Sequence, residues 1–162
     1  MKINIDKKRK ITNNLAICEC EETKHKSLFT NSNITKGQII SKIHFSQIAP
    51  EPNYLTVQLK NNQHITLEPE YLQYINHSCD PNVILDTTHM HIQAIHDIPA
   101  GEQLTFFYPS TEWNMAQGFI CLCGATNCLK HISGAAHIPK EILKQYHLSG
   151  YIQRQISESS NN

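Results

Sequence analysis

Cys121-Leu122-Cys123 and Cys128 form a Cys-x-Cys-x4-Cys pattern, and a fourth thiol, Cys79, stands far upstream at the end of Asn76-His77-Ser78-Cys79. Three closely spaced thiolates and one distant one suit a closed tetrahedral Zn²⁺ site, whereas a disulfide framework would consume the sulfurs in pairs. Any fold of this chain that uses such a site must bring the two segments into contact. Four sulfurs leave no coordination position open for water, so the metal would staple the fold and the chemistry would lie beside it. The competing reading is four ordinary buried thiols, since free cysteine packs as a small apolar side chain.

At 162 residues the chain fits one domain with a core of its own. Lys and Arg number 14 and Asp and Glu number 14, a balance that gives no sign of wholesale phosphate or membrane binding. The first ten residues carry charges without an apolar core, and no later stretch approaches a membrane span. A cytoplasmic protein is expected, which agrees with thiols kept reduced for metal, and nuclear or exported destinations are compatible with the same residues.

The local patterns favour strands. Leu15 to Cys20 mixes apolar and polar positions, and Ser27-Leu28-Phe29 leads through Ile34-Thr35-Lys36-Gly37 into Gln38-Ile39-Ile40 as strand, turn, strand. Tyr54 to Leu59 and His64 to Leu67 form a hairpin around Lys60-Asn61-Asn62-Gln63. Val83-Ile84-Leu85 and Met90 to Ile95 make a second pair around Asp86 to His89, and Pro99-Ala100-Gly101 turns the chain into a strand over Gln103 to Tyr108. Only the end looks helical: Pro139 is placed as a first-turn residue, and Ile138, Ile142, Leu143 and Tyr146 fall at helical spacing before Gly150. Ser157 to Asn162 reads as a frayed tail, and Lys7-Lys8-Arg9-Lys10 as a solvated, flexible terminus that could aid binding to an acidic partner.

Asn76-His77-Ser78-Cys79-Asp80-Pro81-Asn82, then Gly101 to Tyr108, then Cys-x-Cys-x4-Cys, resembles the signature of SET-domain protein lysine methyltransferases with a post-SET zinc segment. The resemblance runs from about Leu15 to Cys128, with Thr111 to Ala116 bridging core and zinc segment as in small stand-alone members, and no cysteine cluster precedes it. It implies a mainly β fold of several small sheets with a pseudoknot, a small C-terminal zinc lobe and a short C-terminal helix. The implied organisation is an N-terminal tail over 1–14, the SET domain over 15–109, the post-SET segment over 110–133, a helical extension over 134–156 and a disordered tail over 157–162.

The implied activity is methyl transfer from S-adenosylmethionine to the side-chain amine of a lysine in a protein or peptide, with one structural zinc on Cys79, Cys121, Cys123 and Cys128. A monomer is expected, with no direct role for nucleic acid or membrane. By resemblance, Tyr108 is the catalytic tyrosine beside the transferring methyl group, and Phe106 and Tyr74 line the substrate channel. Asn76 and His77 hold the cofactor, joined by Lys26, Ser27, Leu28 and Leu122. Phenylalanine at 106, in place of the family's alternative tyrosine, implies room for more than one methyl group. Such an amine reacts only when neutral, and a free lysine has a pKa near ~10.4, so an apolar channel and the donor's positive sulfonium must lower it. Orientation of nitrogen, methyl carbon and sulfur in line then supplies the acceleration.

Two positions depart from the family pattern: His25-Lys26-Ser27 stands where Gly-x-Gly is usual, and Gln73 where Arg is frequent. Without glycine's access to positive φ the loop must adopt another conformation or hold the cofactor less closely. That supports an alternative of a different class, a zinc-stabilised interaction module on a catalytically weak or inactive SET scaffold. A nucleophilic pair of His77 and Cys79 is the remaining option, and zinc ligation of the sulfur would preclude it. His89 with His91, and Cys18 with Cys20, share strand faces without making up metal sites. Trp113 and Phe119 join Leu122 as apolar residues able to meet adenine or to fill the zinc lobe.

Overall fold

A computed structural model describes residues 7–159. In chain order its strands begin with β1 (Lys7–Lys10), β2 (Leu15–Glu19), β3 (Lys26–Thr30), β4 (Ile39–Lys42) and β5 (Ile48–Ala49). The central hairpins follow as β6 (Thr56–Lys60) with β7 (Gln63–Thr66), and β9 (Val83–Asp86) with β10 (His91–Ala94), separated by β8 (Asn76–His77). The chain then forms β11 (Thr105–Phe106), β12 (Phe119–Ile120), β13 (His131–Ile132), and the helices α1 (Lys140–Leu143) and α2 (Gly150–Glu158). They make five small sheets, ordered β1-β2-β3, β4-β10-β9, β5-β7-β6, β11-β8 and β12-β13. The fold is mainly β, and no described helix is long and apolar enough to cross a membrane.

Turn chemistry explains the hairpins. Between β6 and β7 the chain reverses at Asn61-Asn62, with Asn62 at φ 52°, a left-handed conformation that asparagine tolerates. Between β9 and β10 the Asp86 carboxylate accepts the backbone N–H groups of Thr88 and His89 at 2.8 and 2.9 Å, closing the turn before Met90 reverses at φ 54°. The main core lies between the sheets, where Leu28, Ile65, Ile75, Ile92 and Leu104 are sealed from solvent. A second cluster packs Phe107 with Leu143, Tyr151 and Ile152, and a third surrounds the cysteines.

One pairing positions the site. β8 and β11 run parallel, with Thr105 opposite Asn76 and Phe106 opposite His77, although they are far apart in sequence. Asn82 holds the other edge of β11: its amide donates to the Gln103 carbonyl at 2.8 Å and its carbonyl oxygen accepts from the Thr105 N–H at 2.9 Å. The Asn76 to Asn82 segment is thus wrapped around β11.

Four sequence expectations change. The strand over Gln103 to Tyr108 shrinks to Thr105–Phe106, because Pro109 carries no N–H and Tyr108–Ser110 turns into a 3-10 helix. The helix expected over Ile138 to Tyr146 is a single turn at Lys140–Leu143. The longer helix instead starts at Gly150, where the Ser149 hydroxyl caps it by accepting the Ile152 N–H, and runs on through Ser157 and Glu158. Lys7–Lys10, expected as a flexible terminus, is an edge strand antiparallel to β2, with Arg9 opposite Ile17. Residues 1–6 and 160–162 lie outside the described range.

Candidate active site and thiolate cluster

The four cysteines come together. Their sulfurs all lie within 4.8 Å of one another, and Cys79 and Cys121 are 4.0 Å apart, spacing that suits tetrahedral zinc–thiolate bonds of ~2.3 Å. All six cysteines are free. Two donors converge on the Cys79 sulfur: the Leu129 N–H and the His77 Nε2, each at 3.4 Å. Because Nδ1 of His77 accepts the Tyr108 N–H at 3.2 Å, the neutral ring carries its proton on Nε2 and aims it at that sulfur.

Burial pushes the Cys79 thiol up to about 11 and Cys121 higher still. At Cys123 burial also acts upward, but backbone N–H groups of Cys79 and Ala125 with the neighbouring thiols bring it down to about 6. Donors gathered around a sulfur that burial would keep protonated fit a bound cation, which holds its ligands as thiolates. The loop carrying Cys79 is braced further, since Tyr146 Oη and Asn127 Nδ2 both donate to the Cys79 carbonyl at 2.8 Å. Neither bracing residue stands out in the sequence, because the partner is a backbone atom.

Tyr108 sits at the meeting of two cavities. One, of about 340 Å³, is lined by Phe106, Ile75, Glu112, Met115 and Phe119 together with Tyr108. The other, of about 460 Å³, is lined by Lys24, Lys26, Glu70, Tyr74 and Asn76, again with Tyr108. Its hydroxyl donates to the Ile75 carbonyl at 3.2 Å, and its ring packs 4.8 Å from Phe106 and 5.3 Å from His77. Burial raises the phenol to about 12 against the opposing contact from His77, so the hydroxyl stays protonated and able to donate. Burial likewise holds the His77 imidazole down at about 4, hence neutral.

Of the remaining expected residues, Lys26, Tyr74 and Asn76 line the larger cavity. Asn76 donates its amide to the Lys26 carbonyl at 3.1 Å and the Ser27 hydroxyl at 2.8 Å, which joins the segment replacing Gly-x-Gly to β8. Left-handed backbone survives there without glycine, at Lys24 with φ 57°. The Lys26 ammonium lies 5.0 Å above the Tyr74 ring, and the Tyr74 hydroxyl donates to Glu70 at 2.5 Å. Tyr74, expected beside Phe106 in a substrate channel, therefore lines the larger cavity with Lys26 and Asn76. Gln73 borders both cavities and donates to the Leu67 carbonyl at 2.9 Å.

Four expected cofactor contacts stand off the cavity walls. Leu28 is fully buried in the main core, and Leu122 is 84% exposed on the zinc lobe. Neither lines either cavity, and nor do Ser27 and His77, which act on the walls only through Asn76 and Tyr108.

Sequence reasoning passed over Glu112. It is buried on the wall of the smaller cavity, where Oε1 accepts the Gln58 N–H at 2.8 Å. Gln58 reciprocates through its side-chain oxygen, which accepts the Trp113 N–H at 3.1 Å. Burial pushes the Glu112 carboxyl up to about 7 in spite of bonds from Gln58 and Thr111.

The family model described as SET domain matches residues 4–109. The methyltransferase flvH of Aspergillus flavus is 39% identical over 119 residues, which cover 72% of this chain and 66% of the relative. An H3 lysine-36 specific histone-lysine N-methyltransferase of Candida albicans is 31% identical over 121 residues, 66% of this chain but 14% of that protein. Among solved structures, KRYPTONITE in complex with mCHH DNA, an H3(1-15) peptide and SAH superposes with a TM-score of 0.57 at 18% identity. That match covers 76% of this chain and 30% of the other. The methyltransferase domain of human SETMAR gives 0.51, also at 18% identity, covering 70% and 55%. The chain thus spans just under two thirds of one of these sequence relatives and a small part of the other.

Proposed function

We propose, since this chain belongs to the SET-domain family, that it transfers methyl groups from S-adenosylmethionine to the side-chain amine of a lysine in a protein or peptide. The observation that carries the reading is Tyr108, whose side chain borders both cavities. A reaction between two partners that enter from opposite sides needs a shared wall at the point of contact, and an orienting group there.

Lys26 and Asn76, which line the larger cavity, are assigned to the methyl donor, supported by Ser27, which bonds Asn76, and His77, which packs on Tyr108. When bound, the donor supplies a methyl carbon made electrophilic by its positive sulfonium. Tyr108 orients that methyl through its hydroxyl, by weak C–H···O contacts that the electron-poor carbon strengthens. Phe106 and Ile75 give the smaller cavity apolar walls, which disfavour an ammonium by desolvation and favour the neutral, nucleophilic amine. Phe106 presents no hydroxyl, which leaves room for a nitrogen already methylated. Cys79, Cys121, Cys123 and Cys128 hold one structural zinc, and the Cys79 loop carries Asn76 and His77 with it, so metal and donor binding are coupled.

The relatives named for histone lysines support a protein substrate of this class. Incubation with isotopically labelled S-adenosylmethionine and cell extract, followed by mapping of the label, tests the proposal. Label on lysine is the expected result. Label on another side chain would replace the acceptor, and none at all would favour the inactive interaction module.

A further inference from the structure

The smaller cavity has one charged side chain. Among the described residues that line it, Glu112 is the sole Asp, Glu, Lys, Arg or His, set among Leu55, Val57, Ile75, Phe106 and Met115. Its Oε1 is engaged by the Gln58 N–H at 2.8 Å and the Thr111 hydroxyl at 3.4 Å, whereas Oε2 has no hydrogen-bond partner among the described residues and is not fully sealed from solvent.

A structural role accounts for Oε1 only. The amide oxygen of glutamine would accept from Gln58 equally well and would avoid the cost of burying a carboxylate in apolar surroundings. A lone buried carboxyl in the cavity that Tyr108 borders has the character of a group kept for its chemistry.

We propose that Glu112 is a catalytic residue: its carboxylate draws a cationic side chain into the smaller cavity and takes the proton from its ammonium. The inference rests on the methyl-transfer reading and adds to it the class of acceptor, a primary or methylated amine that arrives protonated, and the fate of the proton. One N–H bond of the ammonium breaks, an O–H bond forms at Oε2, and the electron pair stays on nitrogen for attack on the methyl carbon. After transfer the proton passes from Oε2 to solvent through the side of the cavity bordered by Tyr54, which is 86% exposed.

The ionisable groups that face Glu112 are few. They are Tyr108 from its own segment, Tyr54 from the loop before β6, and Tyr151 from α2, whose phenol is raised by burial first and by Glu112 second. Tyr108 lies near 12, so it stays neutral while Glu112, near 7, changes charge.

The test compares wild type, Glu112→Gln and Glu112→Asp on a lysine peptide, with melting curves to verify folding. Two measurements are made: kcat/KM for methyl transfer from pH 6 to 9.5, and calorimetric affinity for the peptide without donor. Wild type should rise through pH 7 to a plateau, and its affinity should weaken below pH 7. Glu112→Gln must draw on the neutral amine already present in solution. At pH 8 that is roughly one part in 250 for a free lysine, so its kcat/KM should be lower by about that factor and climb tenfold per pH unit. Its peptide affinity should be at least about tenfold weaker and flat with pH. Glu112→Asp should recover the plateau at reduced rate. An active wild type whose kcat/KM profile or peptide affinity is unchanged in Glu112→Gln overturns the assignment of Glu112 alone. A wild type that transfers no methyl group overturns the underlying reaction and this role with it.

Discussion

Replacing Tyr108 by phenylalanine removes one oxygen and leaves every ring contact in place. The structure sets the size of the two effects. The lost bond to the Ile75 carbonyl, 3.2 Å long and between neutral groups, contributes about 1 kcal/mol of net stability. In a chain of this length that lowers the melting temperature by about 2–4 °C. Packing against Phe106 and His77 survives, and the Asn76 contacts to Lys26 and Ser27 do not involve the hydroxyl, so the methyl donor should bind within about threefold of wild type. Turnover should fall much further. A misplacement of about 1 Å at the reacting atoms costs on the order of 100-fold, and a lost transition-state donor costs 100- to 1,000-fold. Calorimetric titration with S-adenosylmethionine, together with kcat at saturating peptide, separates binding from chemistry. A variant that keeps kcat within tenfold of wild type would refute the placement of Tyr108 at the reacting methyl.

Three further outcomes follow from the same structure. Elemental analysis should find one zinc per chain, and its removal by chelator should weaken donor binding through the Cys79 loop, whereas equal affinity with and without metal would break that coupling. Phe106→Tyr should shift products toward monomethyl-lysine, and mass spectra of wild-type product confined to monomethyl-lysine would reject the room assigned to Phe106. The Glu112 carboxyl, raised by burial from 4.5 to about 7, costs the native state up to about 3 kcal/mol once pH exceeds 7. The cost appears as pH rises from 4.5 to 7, because the unfolded chain loses that proton first. Glu112→Gln should therefore melt several degrees higher than wild type at pH 8, and the gap should close as pH falls to 4.5; a gap independent of pH would refute the burial argument.

Much of this site can be read from the sequence where the signal is a spacing or a local turn. The Cys-x-Cys-x4-Cys pattern with Cys79 predicts the meeting of two distant segments, and the four sulfurs do gather. The two hairpins follow from alternation around Asn61-Asn62 and Asp86. What escapes the sequence depends on which side of a wall a residue occupies. Tyr74 lines the larger cavity with Asn76 while Phe106 lines the adjoining smaller one, and Leu28 follows Ser27 yet packs in the core. Alternation along one strand does not say which cavity lies beyond it. Glu112 carries no motif of its own, because its significance comes from the apolar residues of other segments that surround it. The basic run at Lys7 pairs as β1 through backbone bonds that are blind to side-chain charge. At Gly150 a serine cap starts the longer helix at the residue where the apolar spacing had suggested an end.

The central claim is that donor and acceptor meet from opposite sides at Tyr108. A crystal structure of the zinc-loaded protein with S-adenosylhomocysteine and a lysine peptide tests it most directly. The donor's sulfur should lie on the side of Lys26 and Asn76, and the lysine nitrogen on the side of Phe106 and Glu112, with the Tyr108 hydroxyl between them. Both ligands in one cavity, or a Tyr108 hydroxyl turned away from the line joining sulfur and nitrogen, would contradict the account.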